Sequence, residues 1–252
     1  MEIENHKPNE GKFPKGTLML IYGAPKVGKS TFSATMDNAI IFDMESGYEN
    51  IECNRVRPKN LNELRKFLKD RALDSYDHIV IDTLDVIYSM IEEETIERLN
   101  RQLKTNYDYI GSFPMGNGWS SAKNLMKNFI LKDLTPLMRK DKNVVLVAHE
   151  KAETIKRKGE DDTIRYQISL PGQTATLVCS MADIIGRCYL KKDTPFISFS
   201  PARDLGGSRI KALAGKEIPL NFETMKKVVE NSKPKESKGI TEIVDEQEDD
   251  GW

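Results

Sequence analysis

The sequence predicts an α/β fold, a mostly parallel sheet flanked by helices with an antiparallel extension toward the C-terminus. Three observations carry that prediction. Short apolar runs ending in a glycine or an acid alternate with segments of helical periodicity, the pattern of βα units. A glycine-rich stretch joins the first such run to the first helix. Beyond residue 183, three strand-like segments follow one another too closely for crossover helices between them.

Residues 1–16 are polar, with two prolines and two glycines, and are expected to form a flexible N-terminal arm. TLMLIYG (17–23) is a short apolar run and reads as a buried strand. KSTFSATM (29–36) follows as a helix and AIIFDME (39–45) as the next strand. Over 60–73, Leu61, Leu64, Leu68 and Phe67 share one helical face, ahead of the strand HIVIDT (78–83). A helix is predicted over 84–103, a Gly/aromatic loop over 105–119, and a second helical stretch over 121–140 that Pro136 kinks or divides. NVVLVAHE (143–150) is the fourth strand, followed by a polar loop (150–170) and a short helix (172–182). DIIGRCYL, PFISFSP and SRIKAL close the core as strands. The core is thus placed at 17–230, and 231–252 reads as a disordered acidic tail.

Composition excludes several classes. In 252 residues no apolar run approaches the roughly 20 needed to span a bilayer, and the N-terminus lacks a signal-peptide core. Three cysteines, Cys53, Cys179 and Cys188, form no CxxC pair, which argues against a disulfide scaffold or zinc ribbon and fits a reducing cytosol. The net charge of −1 hides an asymmetry: without the six acids of 241–252, 38 basic residues face 33 acidic ones. A basic body with an acidic tail points to a polyanionic ligand.

The glycine-rich stretch reads Gly23-Ala24-Pro25-Lys26-Val27-Gly28-Lys29-Ser30-Thr31, a match to G-x-x-x-x-G-K-[ST]. Glycines let the backbone curl so that successive N–H groups face phosphate oxygens, and the following helix turns its positive end to the same anion. Lys29 would reach the β- and γ-phosphates of ATP, and the Ser30 hydroxyl would ligate Mg2+. The partner acid for the metal is Asp82, which ends an apolar strand at the sheet edge where open α/β folds bind ligands; such an aspartate can also be a plain turn residue. FDMES puts Asp43 and Glu45 at the same edge, and Glu45 there could activate a water, or merely open a loop. His149, at the tip of VVLVAH, could sense the γ-phosphate, or be an ordinary loop histidine.

A strand ending Asp-x-Glu after the phosphate loop, an apolar strand ending in Asp and a polar residue leading into a loop resemble the RecA-type recombinase core. The GAPKVGKST loop, the IDTLD segment, the GNGW stretch and the absence of DNA-binding appendages look like the small phage-encoded RecA-like ATPases, including Sak-type single-strand annealing proteins. The resemblance covers residues 16–230. It implies a RecA-like P-loop NTPase fold and a Mg2+-dependent, DNA-stimulated ATPase acting in recombination, annealing or repair. Glu45 would then be the catalytic base. His149 would take the place of the family's usual glutamine sensor, a departure from its pattern. The resemblance also implies a homo-oligomer, ring or filament, with ATP at subunit interfaces. A single-strand-binding protein partner and the cytoplasm of a phage host go with it.

In that family DNA lies on loops following the metal-acid and sensor strands. The second loop carries Lys156, Arg157, Lys158 and Arg165, bases able to follow a phosphate backbone, although Glu160, Asp161 and Asp162 also fit a plain solvated surface. In the first, Tyr107, Tyr109, Phe113 and Trp119 are either stacking platforms or a satellite core. Arg209 or Lys211, on a glycine-rich stretch, would complete a neighbouring subunit's ATP site, or simply flank an edge strand. The tail ending in Gly251-Trp252 either docks a partner or only solubilises. Two rival functions stay open: a small nucleotide kinase with a basic lid, and a non-enzymatic adaptor switched by nucleotide.

Overall fold

The computed structural model describes residues 12–155, 163–201 and 205–232. The chain runs β1 (Leu18–Gly23), α1 (Lys29–Ala34), β2 (Ala39–Asp43), β3 (Asn54–Val56), α2 (Leu61–Phe67) and β4 (His78–Asp82). It continues through α3 (Leu84–Leu103), α4 (Asn117–Asn128), α5 (Thr135–Met138), β5 (Asn143–Ile155), β6 (Thr163–Ile168) and α6 (Gly172–Met181). β7 (Ile184–Lys191), β8 (Thr194–Ser198), β9 (Gly207–Ser208), β10 (Glu217–Pro219) and α7 (Phe222–Glu230) complete it.

The strands lie in the order β10-β8-β7-β1-β5-β4-β2-β3, parallel from β7 to β3 and antiparallel at β8 and β10. This is the α/β class the alternating pattern predicts. Every position of β1 is buried, because helices cover both faces of the sheet. Successive side chains of a strand point to opposite faces. Leu18, Leu20 and Tyr22 therefore join one apolar cluster, with Ile87 and Ile91 of α3 and Met126 of α4, while Met19 and Ile21 join the other, with Phe32 of α1 and Phe222 of α7. Parallel register brings strand ends to one rim: Gly23 stands beside His149 and Cys188, Asp82 beside Val147, and Asp43 beside Asp82.

Three local expectations are corrected, and the break expected near Pro136 takes a particular form. The polar loop over 150–170 is largely a hairpin: β5 runs on to Ile155 and pairs antiparallel with β6. Lys156, Arg157 and Lys158 lie at its tip in sequence and fall outside the described residues, as does the tail from residue 233 on. The strand expected over 208–213 is only Gly207–Ser208, paired with Ile184 and Ile185. Beyond it, the Ile210 N–H turns to the Ser208 hydroxyl, and the Leu213 and Ala214 N–H groups turn to the Ile210 carbonyl, so local bonds replace the ladder. Helix α7, absent from the expectation, is capped by the Asn221 side chain on the Thr224 N–H and buries Phe222, Met225 and Val229. At Pro136, α4 passes through a π-helical stretch, Phe129–Leu134, into α5. The wider turn accommodates a residue that has no N–H to donate and whose ring would strike the carbonyl four residues back.

His78, 5% exposed at the start of β4, is a core histidine whose ring meets Phe222 edge-on at 5.0 Å. Burial lowers its pKa below the ordinary 6.5, against the opposing charges of Asp77 and Asp37. The unfolded chain therefore takes up this proton first as pH falls. Stability from this residue should be complete above pH 6.5 and decline below it, by up to about 1.4 kcal/mol per pH unit. Thermal melts between pH 7.5 and 5 test this: His78→Phe should flatten that part of the profile, and an unchanged slope would refute it. Among the described residues no helix is long and apolar enough to cross a membrane.

Candidate nucleotide site

β1 ends at Gly23 because nothing larger fits: a Cβ there would lie 2.2 Å from the Cys188 carbonyl oxygen on β7. The chain then curls through residues 24–28, with Lys26 at φ 64° and Gly28 at φ 102°, and Gly28 caps α1. Phe32 anchors that short helix in the core. Lys29 is buried and folds back over the curl, its Nζ donating to the carbonyls of Gly23 and Ala24 at 2.8 Å each. Burial lowers the Lys29 pKa, while Cys188 and the carboxylates of Asp82, Asp85 and Glu150 act the other way. A triphosphate in the curl would offer this ammonium better acceptors than two carbonyls.

Asp82 closes β4, two strands from β1, with β5 between them. Its Oδ2 accepts from the Ser30 hydroxyl at 2.9 Å and from the Tyr48 phenol at 2.7 Å. Burial raises the Asp82 pKa, and the Tyr48 and Ser30 bonds oppose that shift. The Tyr48 phenol is pushed well above the usual tyrosine range, first by burial and then by the Asp82 charge. Ser30 and Asp82 are hard oxygen donors within 3 Å of each other at the mouth of the curl. That donor set fits Mg2+, which takes few protein oxygens and keeps the rest of its shell for phosphate and water. No group of three or more His, Cys, Asp or Glu among the described residues forms a separate metal cage.

Glu45 faces the same mouth. Its Oε1 accepts from the Thr83 hydroxyl at 2.7 Å, and its Oε2 lies 3.8 Å from His149 Nε2. Asp85 secures His149 from behind: its Oδ2 accepts the His149 backbone N–H at 2.8 Å and lies 3.4 Å from Nδ1. Burial raises the Asp85 pKa and the His149 contacts oppose it. Lys29, Ser30, Glu45, Asp82 and His149, all singled out in the sequence, thus stand at one rim. Asp43, next to Asp82 in the register, does not join them as a reacting group. It is buried and braces the loop that carries Glu45 and Tyr48, accepting from the Gly47 N–H at 3.0 Å and pairing with Arg55 and Arg57 at 3.2 and 3.3 Å.

The other predicted residues lie elsewhere. Arg165 sits on β6 opposite Glu153. The hairpin is pegged to the rim by Arg187, which pairs with Glu150 at 2.8 Å and lies over the Tyr166 ring at 3.6 Å. Trp119, in the first turn of α4, is half-buried and meets Tyr109 edge-on at 6.1 Å, while Phe113 is fully buried against Tyr107. Of the two alternatives for these aromatics, Phe113 and Trp119 fit the satellite core, and Tyr109 stays exposed. Arg209 pairs with Asp183 at 2.7 Å, and Asp183 also holds the Leu18 N–H, so Arg209 lies at the sheet edge opposite the phosphate loop of its own chain. Lys211 is exposed in the following turn.

Sequence reasoning missed Tyr48 and Asp85. Asp85 carried a signal, as the second acid of IDTLD on the first turn of α3. Tyr48 carried none, since its role depends on how a braced loop folds back.

The sequence profile of a family described as AAA domain matches residues 15–245. No curated protein matches the chain. Among solved structures, it is similar to the flagellar accessory protein FlaH from Methanocaldococcus jannaschii, with 13% identity and a TM-score of 0.37 over 73% of this chain and 76% of that one.

Proposed function

We propose, from the premise that this chain belongs to the AAA domain family, that it is a Mg2+-dependent, RecA-like ATPase stimulated by single-stranded DNA, working in recombination, annealing or repair. The observation that carries the reading is the convergence of Lys29, Ser30, Asp82, Glu45 and His149 at one rim. Gly23–Thr31 hold the triphosphate, and Lys29 steadies its β- and γ-oxygens. Ser30 and Asp82 hold magnesium, which when bound offsets charge on the phosphate oxygens. Glu45 orients the attacking water and takes its proton, while the bond from the γ-phosphorus to the bridging oxygen breaks and ADP leaves. His149 lies 3.8 Å from Glu45 on β5, the strand that continues into the hairpin, and that continuity supports a role in reporting the γ-phosphate to that arm.

DNA binding on this reading falls to the hairpin, with Arg165 and the tip bases Lys156, Arg157 and Lys158 following the phosphates. Assembly into a homo-oligomer would let Arg209 or Lys211 approach a neighbour's ATP. A single-strand-binding protein is a further partner, and the phage-host cytoplasm the setting. Turnover measured with no DNA, with single strands and with duplex tests the reading. Single strands alone should raise the rate, and Arg165→Ala with K156A and R157A should reduce the stimulation without changing the DNA-free rate. Equal rates in all three conditions would leave a generic NTPase, and label from ATP appearing on a nucleoside monophosphate would make it a kinase.

A further inference from the structure

We propose that Tyr48 is a cation-selecting residue: its phenol occupies one oxygen of Asp82 and so favours magnesium over calcium in the nucleotide site. The inference rests on the reading that Ser30 and Asp82 hold the metal. Tyr48 is 1% exposed and belongs to the apolar cluster that contains Val27, Phe32 and Ile41, so its ring is fixed by packing. The loop bearing it is equally constrained. The Gly47 N–H is held by Asp43, whose other oxygen carries Arg55 and Arg57, and the Tyr48 carbonyl accepts the Ile51 N–H at 3.2 Å. That loop runs close to the phosphate loop, since a Cβ on Gly47 would come within van der Waals contact of Ser30 Oγ, at 3.6 Å.

Asp82 Oδ2 therefore has two donors of different kinds. A serine hydroxyl that lends a lone pair to a cation keeps its proton and can still donate to Asp82, but it rotates freely and is not held there by packing. A packed phenol at 2.7 Å does not turn away. It occupies one lone pair of Oδ2 and pins the plane of the carboxylate, so that chelation of a cation by both oxygens is disfavoured against contact through one, directly or across a water. Magnesium accepts that arrangement, being octahedral, small and reluctant to shed its waters. Calcium takes six to eight oxygens and favours carboxylates that chelate with both. The loss of one charge-assisted hydrogen bond would alter the preference by roughly tenfold.

The test is an equilibrium titration of a fluorescent ATP analogue with Mg2+ and separately with Ca2+, with no turnover measured. Wild-type protein should be driven into the nucleotide complex by far less magnesium than calcium. In Tyr48→Phe the ratio of half-saturating calcium to magnesium should fall about tenfold, with nucleotide affinity in EDTA unchanged. Arg55→Ala, which loosens the brace and leaves the site residues in place, should shift the ratio the same way by a few-fold. It serves as the deciding variant if Tyr48→Phe does not fold. A wild-type ratio in the folded variant overturns the proposal. Asp82→Asn separates the two levels: it should abolish the magnesium effect. If it keeps that effect, the metal assignment itself fails, whereas a normal Asp82→Asn result beside an unshifted Tyr48→Phe ratio removes Tyr48 alone.

Discussion

Lys29→Ala is expected to lose ATP binding by about 10²- to 10⁴-fold and, with it, measurable turnover. The ammonium now satisfies two backbone carbonyls at 2.8 Å and has no exposure to spare. A triphosphate replaces those neutral acceptors with charged ones. Two charge-assisted bonds at about 1.5–3 kcal/mol each account for the range. Lys29→Arg should not rescue it, because a planar guanidinium cannot occupy a slot shaped for a compact point charge between the Gly23 and Ala24 carbonyls. A fluorescent-nucleotide titration checks both variants. Thermal melts run alongside should show a modest loss for Lys29→Ala, since the two carbonyls lose their donor. An alanine variant that bound ATP within twofold of wild type would mean that the curl holds something other than a triphosphate.

The contrast between Lys29 and Tyr48 shows which parts of this site a sequence displays. Gly23 through Thr31 are contiguous, and their chemistry is local: a curl, a helix start and a lysine at fixed spacing. Asp82 and His149 are visible because each ends an apolar run. Their meeting with Glu45 is not local, as it depends on β2, β4 and β5 lying side by side in one register. Alternation of strands and helices implies that adjacency in kind, though not in order. Tyr48 and Asp85 depend on still more: a loop folded back by Asp43, Arg55 and Arg57, and a helix start aimed across β5. The misreadings have similar causes. Asn54–Val56 is too short and polar to announce an edge strand, although it continues the parallel sheet beside β2. Ile210 and Leu213 look like strand residues, but the Ser208 hydroxyl and local turn bonds win their backbone groups.

Glu45→Gln should separate chemistry from binding. The amide oxygen can still accept from the Thr83 hydroxyl, so the side chain keeps its 2.7 Å anchor and the rim keeps its shape. What it loses is basicity and negative charge toward the attacking water. Turnover should fall by about 10²- to 10⁴-fold, the usual worth of a positioned general base, while ATP affinity stays within about twofold. Quench-flow of a single turnover, paired with the nucleotide titration, reads the two quantities independently. Asp85→Asn should cost less, because it weakens the hold on His149 and leaves Glu45 itself intact. The expected order of damage is therefore Glu45→Gln far above Asp85→Asn, with neither impairing binding as Lys29→Ala does. If Glu45→Gln turned over normally, the candidate base left beside it would be His149, 3.8 Å from the Glu45 carboxylate. The catalytic role would then pass from the loop after β2 to the tip of β5, and the RecA-like reading would lose its central support.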